Sequence, residues 1–186
     1  MRKAGRHFLQ IPGPSSVPDR ILRSISSQTI DHRGPAFADV GRRALDGMKT
    51  IFKTDQQVII YPASGTGAWE AALSNALSPG DKVLMYETGH FASLWGKLAK
   101  NLQLDADIIV GDWRSGADPE AIEEKLRSDT AHAYKAVCVV HNETSTGSVS
   151  PIAEIRKAID AANHPALFMV DSISGLACLD SVSYTH

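Results

Sequence analysis

Ala166-Leu167-Phe168-Met169-Val170-Asp171-Ser172 is an apolar run that stops on a carboxylate and a hydroxyl, and the rest of the chain is read outward from it. Four earlier runs share its character: Gln57 to Tyr61, Lys82 to Tyr86, Ala106 to Val110 and Lys135 to Val140. Each is short, rich in strand-forming residues and close to continuously apolar, the pattern of strands covered on both faces. Helical stretches lie between them, at about Thr66 to Leu77, His90 to Leu102, Pro119 to Arg127 and Ile152 to Ala162. Strands that alternate with helices read as crossover units, so the expected fold is α/β, a mainly parallel sheet with helices on both faces. In such a sheet ligands gather beyond the carboxyl ends of the strands, and Asp171 falls there.

Asp118 followed by Pro119 is an N-cap and first-turn pair for one of those helices. Further upstream, from Ala36 to Lys53, the residues Phe37, Val40, Ala44, Met48, Ile51 and Phe52 recur at three- and four-residue intervals. That spacing marks one face of an amphipathic helix. Ahead of it, Pro12, Gly13, Pro14 and Pro18 favour an extended arm over residues 1–18. No repeat, low-complexity tract or interdomain linker interrupts residues 19–180, which are expected to form one domain.

With 186 residues, 43% of them hydrophobic, the chain is long enough and apolar enough to bury a core. Its net charge of −2, with both signs scattered, gives no electrostatic case for nucleic acid or an anionic membrane as partner. A small anion held by local amides stays open. The basic start Met1-Arg2-Lys3 leads into an apolar stretch broken at once by Pro12 and Pro14, and no run approaches membrane-spanning length. The expectation is a soluble, cytoplasmic chain. Cys138 and Cys178 have neither metal nor redox-pair spacing. His141-x-Glu143 has the spacing of half a zinc-deaminase signature, but the Pro-Cys-x-x-Cys half is missing, and no His-Glu-x-x-His pair occurs. No metal site is expected. His32, in Asp31-His32-Arg33-Gly34-Pro35, reads as a surface loop residue.

Two features point to one ligand. In Ala63-Ser64-Gly65-Thr66-Gly67 the glycines let backbone come close, helix-start amides point outward, and Ser64 and Thr66 add hydroxyls, a cradle suited to phosphate. Asp171, at the edge of an apolar strand, needs a partner because desolvating a lone carboxylate is costly. A phosphate cradle plus an acid for a ring nitrogen is the pair of contacts that pyridoxal phosphate requires, together with a Schiff-base lysine. Simple capping accounts for either feature taken alone. A dinucleotide-binding turn is the sharper alternative, since Gly65-x-Gly67 follows a predicted strand and Glu87 comes about twenty residues on. Its third glycine, however, is replaced by Glu70. Between the two ends lie Gly89-His90-Phe91 and His141-Asn142-Glu143-Thr144-Ser145-Thr146-Gly147. Phe91 or His90 has the chemistry to stack on a ring and Thr144 to donate to its phenolic oxygen. Phe91 also fits plain core, with Leu94, Trp95 and Leu98 at helical spacing.

Taken in order, Pro12-Gly13-Pro14-Ser15, Asp31-His32-Arg33-Gly34-Pro35, Ser64-Gly65-Thr66-Gly67 with Trp69-Glu70-Ala71-Ala72-Leu73, Gly89-His90-Phe91, His141 to Gly147 and Val170-Asp171-Ser172 resemble the class V aminotransferases. The resemblance is to the serine-glyoxylate and alanine-glyoxylate group of the fold type I pyridoxal phosphate enzymes, and it covers almost the whole chain. It implies that Ser64, Gly65 and Thr66 hold the phosphate. Phe91 then takes the stacking position, Thr144 bonds the phenolic oxygen, Asp171 meets the pyridinium nitrogen and Ile173 presses on the opposite ring face. The implied reaction moves an amino group from serine or alanine to glyoxylate, giving glycine and a 2-oxo acid, in a homodimer with amino acid and 2-oxo acid substrates.

Members of the family carry the Schiff-base lysine a couple of dozen residues beyond the aspartate, then a small C-terminal domain. No lysine follows Asp171, and residues 181–186 no longer read like the family. The expectation is therefore a partial large domain, truncated before the catalytic lysine and inactive by itself. A dinucleotide-binding module and a non-catalytic remnant of the aminotransferase are the alternatives.

Overall fold

The computed structural model describes residues 9–179. Its elements run α1 (Asp19–Ile25), α2 (Pro35–Phe52), α3 (Gly65–Ala76), β1 (Lys82–Glu87), α4 (His90–Asn101), β2 (Asp105–Val110), α5 (Pro119–Ser128), β3 (Tyr134–Val140), α6 (Ile152–Ala161) and β4 (Leu167–Asp171). The chain divides into two compact units, one up to Met48 and the other from Lys49 onward. The division falls inside α2, where the sequence carries no linker composition.

In the first unit, residues 9–18 form neither helix nor strand, and no residue of α1 is buried. Helix α2 has the expected amphipathic pattern, yet none of its residues is buried either. The expected arm is described only from residue 9, and the tail at 181–186 lies outside the described residues.

The second unit is the α/β sheet. Its four strands are all parallel, in the order β2-β1-β3-β4. Central strand β3 is buried along most of its length and β1 through its middle, whereas edge strands β2 and β4 are only partly covered. Continuous apolar sequence thus marks central and edge strands alike. One core, built on Trp69, Leu73, Val83, Trp95, Ala99 and Cys138, joins the sheet to α3 and α4. A second, with Leu84, Ile122, Leu126, Val137, Ile155 and Ile159, joins the other face to α5 and α6. Helices on both faces follow because alternate residues of one strand point to opposite cores. Ala136 and Cys138 of β3 belong to the first, Val137 and Val139 to the second.

Helix α5 starts as its sequence dictates, with the Asp118 carboxylate accepting from Glu120 N–H at 2.9 Å and Pro119 in the first turn. The expected first strand, Gln57 to Tyr61, does not form. Residues 57–61 are irregular, with Ile59 and Ile60 exposed, because they make no ladder with any described strand and a strand exists only by pairing. Among the described residues no helix is long and apolar enough to cross a membrane.

Candidate functional site

Glycine opens α3. Ser64 stands at its N-cap in extended conformation and makes no side-chain capping bond, so its hydroxyl is not spent on its own helix. Both Ser64 and Thr66 are exposed. Gly67 packs where a larger residue cannot: a Cβ there would stand 2.5 Å from Cβ of Ala63. The turn is thereby tight, with Gly67 N–H donating to the Ser64 carbonyl at 2.9 Å, and the start of α3 carries the positive end of the helix dipole.

Asp171 closes β4 and is 8% exposed. Its Oδ2 accepts from the Trp69 indole N–H at 3.0 Å, and its Oδ1 from Ile173 N–H at 2.9 Å. Register places Asp171 opposite Val140, and its carbonyl accepts from His141 N–H at 2.8 Å. Burial pushes the Asp171 carboxyl above its ordinary range; the Ile173 amide and Trp69 indole oppose that shift, and the charge of Glu143 adds to it.

The two ends are neighbours. A Cβ built at Gly65 would lie 3.5 Å from Cδ1 of Ile173, two residues past the acid, while Trp69, one turn into the same helix, holds the acid itself. A cavity of about 440 Å³ lies between them, lined by Gly65, Ala68, Trp69, Asp171, Ile173 and further apolar residues. That is within the ~300–1,000 Å³ of small-molecule sites. Among the described residues no lysine belongs to its lining. The Trp95 ring, stacked on Trp69 at 5.6 Å between centroids, also lines it, and its indole N–H is buried without an acceptor.

Of the seven residues expected to hold a cofactor, Gly65, Asp171 and Ile173 line this cavity, and Ser64 and Thr66 flank Gly65. Phe91 and Thr144 do not line it. Phe91 is half-buried at the start of α4, packed on the first core with Leu94 and Leu98 and edge-on to His90. Thr144 shares a hydrogen bond between hydroxyls with Ser174, on the turn after Asp171. All seven stand at the carboxyl ends of β1, β3 and β4 or at the start of α3.

Two residues that hold the site together are not among the seven expected to hold a cofactor. Trp69 is one; its position four residues after Gly65, and so on the same helix face, is the available signal. Glu143 is the other. It is 0% exposed, and its carboxylate accepts from Phe91 N–H (3.2 Å), Ala92 N–H (3.1 Å), Ser145 N–H (3.1 Å) and Ser145 Oγ (2.7 Å). Burial works against its ionisation, but donation from Ser145, Ala92 and Phe91 outweighs it and holds Glu143 below the ordinary carboxylate range. His141, 5% exposed, is pushed down by burial and so is neutral near pH 7.

The dinucleotide alternative loses its first support: no strand precedes Gly65-x-Gly67 among the described residues. Oε1 of Glu87 accepts from the Trp113 indole N–H at 2.9 Å.

The strand ends of this parallel sheet thus bring a capless glycine helix start and a buried acid to one cavity. Residues 7–178 match the model of the family "Aminotransferase class-V", and the chain belongs to that family. It is 48% identical over 179 residues to a serine–glyoxylate aminotransferase of Methylorubrum extorquens, covering 96% of this chain and 44% of the relative. An L-aspartate–glyoxylate aminotransferase of Paracoccus denitrificans is 42% identical over 171 residues, 91% of this chain and 43% of that one. Among solved structures, an alanine–glyoxylate aminotransferase of Nostoc sp. superposes with a TM-score of 0.83 at 26% identity, over 94% of this chain and 45% of that one. The chain thus spans a little under half the length of the relatives it matches.

Proposed function

We propose that this chain is the cofactor-binding part of a pyridoxal phosphate-dependent aminotransferase that passes an amino group to glyoxylate, with serine as the first donor to test. The observation that carries the reading is the buried Asp171 carboxylate, held by Trp69, beside the uncapped start of α3. Their donor and acceptor sets are complementary to a phosphorylated pyridine: Ser64, Thr66 and the first α3 amides for the phosphate, Asp171 for a protonated ring nitrogen. With the cofactor bound, Asp171 would hold a proton on that nitrogen, Ile173 in the lining and Phe91 outside it would orient the ring, and Thr144, also outside the lining, would donate to the phenolic oxygen. When bound, the cofactor supplies the electron sink for amino transfer. Serine is preferred as donor on the 48% identical relative; alanine and aspartate follow from the other two. The whole protein works as a homodimer in this reading. The 186-residue chain by itself supplies no lysine beyond Asp171 and turns over no faster than free cofactor.

Titration of the chain with pyridoxal phosphate, followed by tryptophan fluorescence, tests the site. Saturable quenching that weakens in Asp171→Ala supports it; a response to NADH with none to pyridoxal phosphate overturns it. Incubation with serine and glyoxylate tests the second point, and glycine formation well above the cofactor-only blank overturns it.

A further inference from the structure

Two helices start at the same edge of the sheet, and their first turns are treated differently. The start of α3 has no side-chain cap, whereas α4 has three consecutive amides satisfied from a segment more than fifty positions away: His90 N–H donates to Ser145 Oγ at 3.0 Å, Phe91 and Ala92 N–H to the two oxygens of Glu143. Ser145 Oγ donates in turn to Glu143. One buried carboxylate therefore fastens the start of α4 to the loop after β3. The fit leaves no slack, since a Cβ at Gly89 would stand 2.5 Å from Cγ of Glu143.

We propose that Glu143 is a positioning residue of this site: its carboxylate, held between the start of α4 and the loop after β3, sets Phe91 against the loop carrying Thr144. The proposal rests on the pyridoxal phosphate reading of the site.

The proposal follows from the hydrogen bonds. Phe91 is fixed through its own amide, and Thr144 is the residue next to Glu143, so a single side chain joins the two segments.

The test compares wild type, Glu143→Asp, Phe91→Ala and the double variant of the 186-residue chain, with fluorescence quenching giving the affinity for pyridoxal phosphate. Glu143→Asp is expected to weaken binding by about threefold or more, because the shorter side chain cannot reach both segments, and to weaken it no further once Phe91→Ala is present. Wild-type affinity in Glu143→Asp, or a loss of the same size with and without Phe91→Ala, overturns the proposal. If wild type does not bind, the cofactor reading fails and the backbone amide resonances of Phe91 and Ala92 judge Glu143: displacement of both in Glu143→Asp supports its positioning role, and no displacement overturns it.

Discussion

The Trp69 indole donates to the Asp171 carboxylate at 3.0 Å across 102 positions of sequence, tying the helix that begins at the anion cradle to the strand that ends on the acid. Trp69→Phe keeps most of the stack on Trp95 but leaves the Asp171 carboxylate with the Ile173 amide as its donor. Loss of a buried hydrogen bond to a charged group costs about 1–3 kcal/mol. The variant is expected to lose stability by that order in urea unfolding at pH 8 and less at pH 4, where Asp171 is closer to protonated. Equal losses at both pH values count against an ionised partner.

The pH dependence of stability has two opposed contributions. The Asp171 carboxyl is raised in the folded chain, so its contribution is fully present below the unfolded value and declines as pH rises through the folded one. Glu143 is lowered, so its contribution is present above the unfolded value and lost as pH falls through the folded one. Asp171→Asn removes the first and leaves the second. Relative to wild type, the Asn variant is expected to gain stability as pH rises from the ordinary carboxylate range through the raised folded value and to level off above it, measured by denaturant unfolding at several pH values. A difference that stays flat or reverses contradicts the raised carboxyl.

Much of this is legible in the residues. Runs such as Tyr134–Val140 and the spacing in Ile152–Ala161 fix strand and helix locally, and Asp118-Pro119 fixes a helix start. Gln57 to Tyr61 has equally good strand composition and fails, because composition encodes willingness to pair while the partner is supplied elsewhere. The site divides the same way. Cradle and acid are each visible as short motifs at element ends. Glu143 reads in sequence as part of a metal signature, and only the meeting of α4 with the loop after β3 turns it into a cap.

Gly89→Ala tests how tightly that cap is packed. The Gly89 backbone is extended, so its conformation suits any residue and the cost is steric alone. An added Cβ would fall within 2.7 Å of both Cδ of Glu143 and Oγ of Ser145. Overpacking of this kind costs about 1–3 kcal/mol. Urea unfolding should show that loss for Gly89→Ala, and pyridoxal phosphate affinity should fall with it, since the displaced groups are those that fix Phe91.

The two thiols give an independent measure of the core. Cys138 is buried in β3 as part of the first core, and burial pushes its thiol up to about 12; Cys178 is exposed. The reactive species is the thiolate, so Cys138 is protected both by access and by protonation. A disulfide reagent at pH 8 is expected to modify Cys178 within the mixing time and Cys138 only as fast as the sheet opens, with both reacting at once in denaturant. Cys178→Ser isolates the slow phase, whose rate then reports the opening of β3. Prompt reaction of Cys138 in the native variant would mean that the central strands are not closely packed. A slow phase that quickens in Gly89→Ala or Trp69→Phe would tie the stability of that core to the two contacts that build the site at its strand ends.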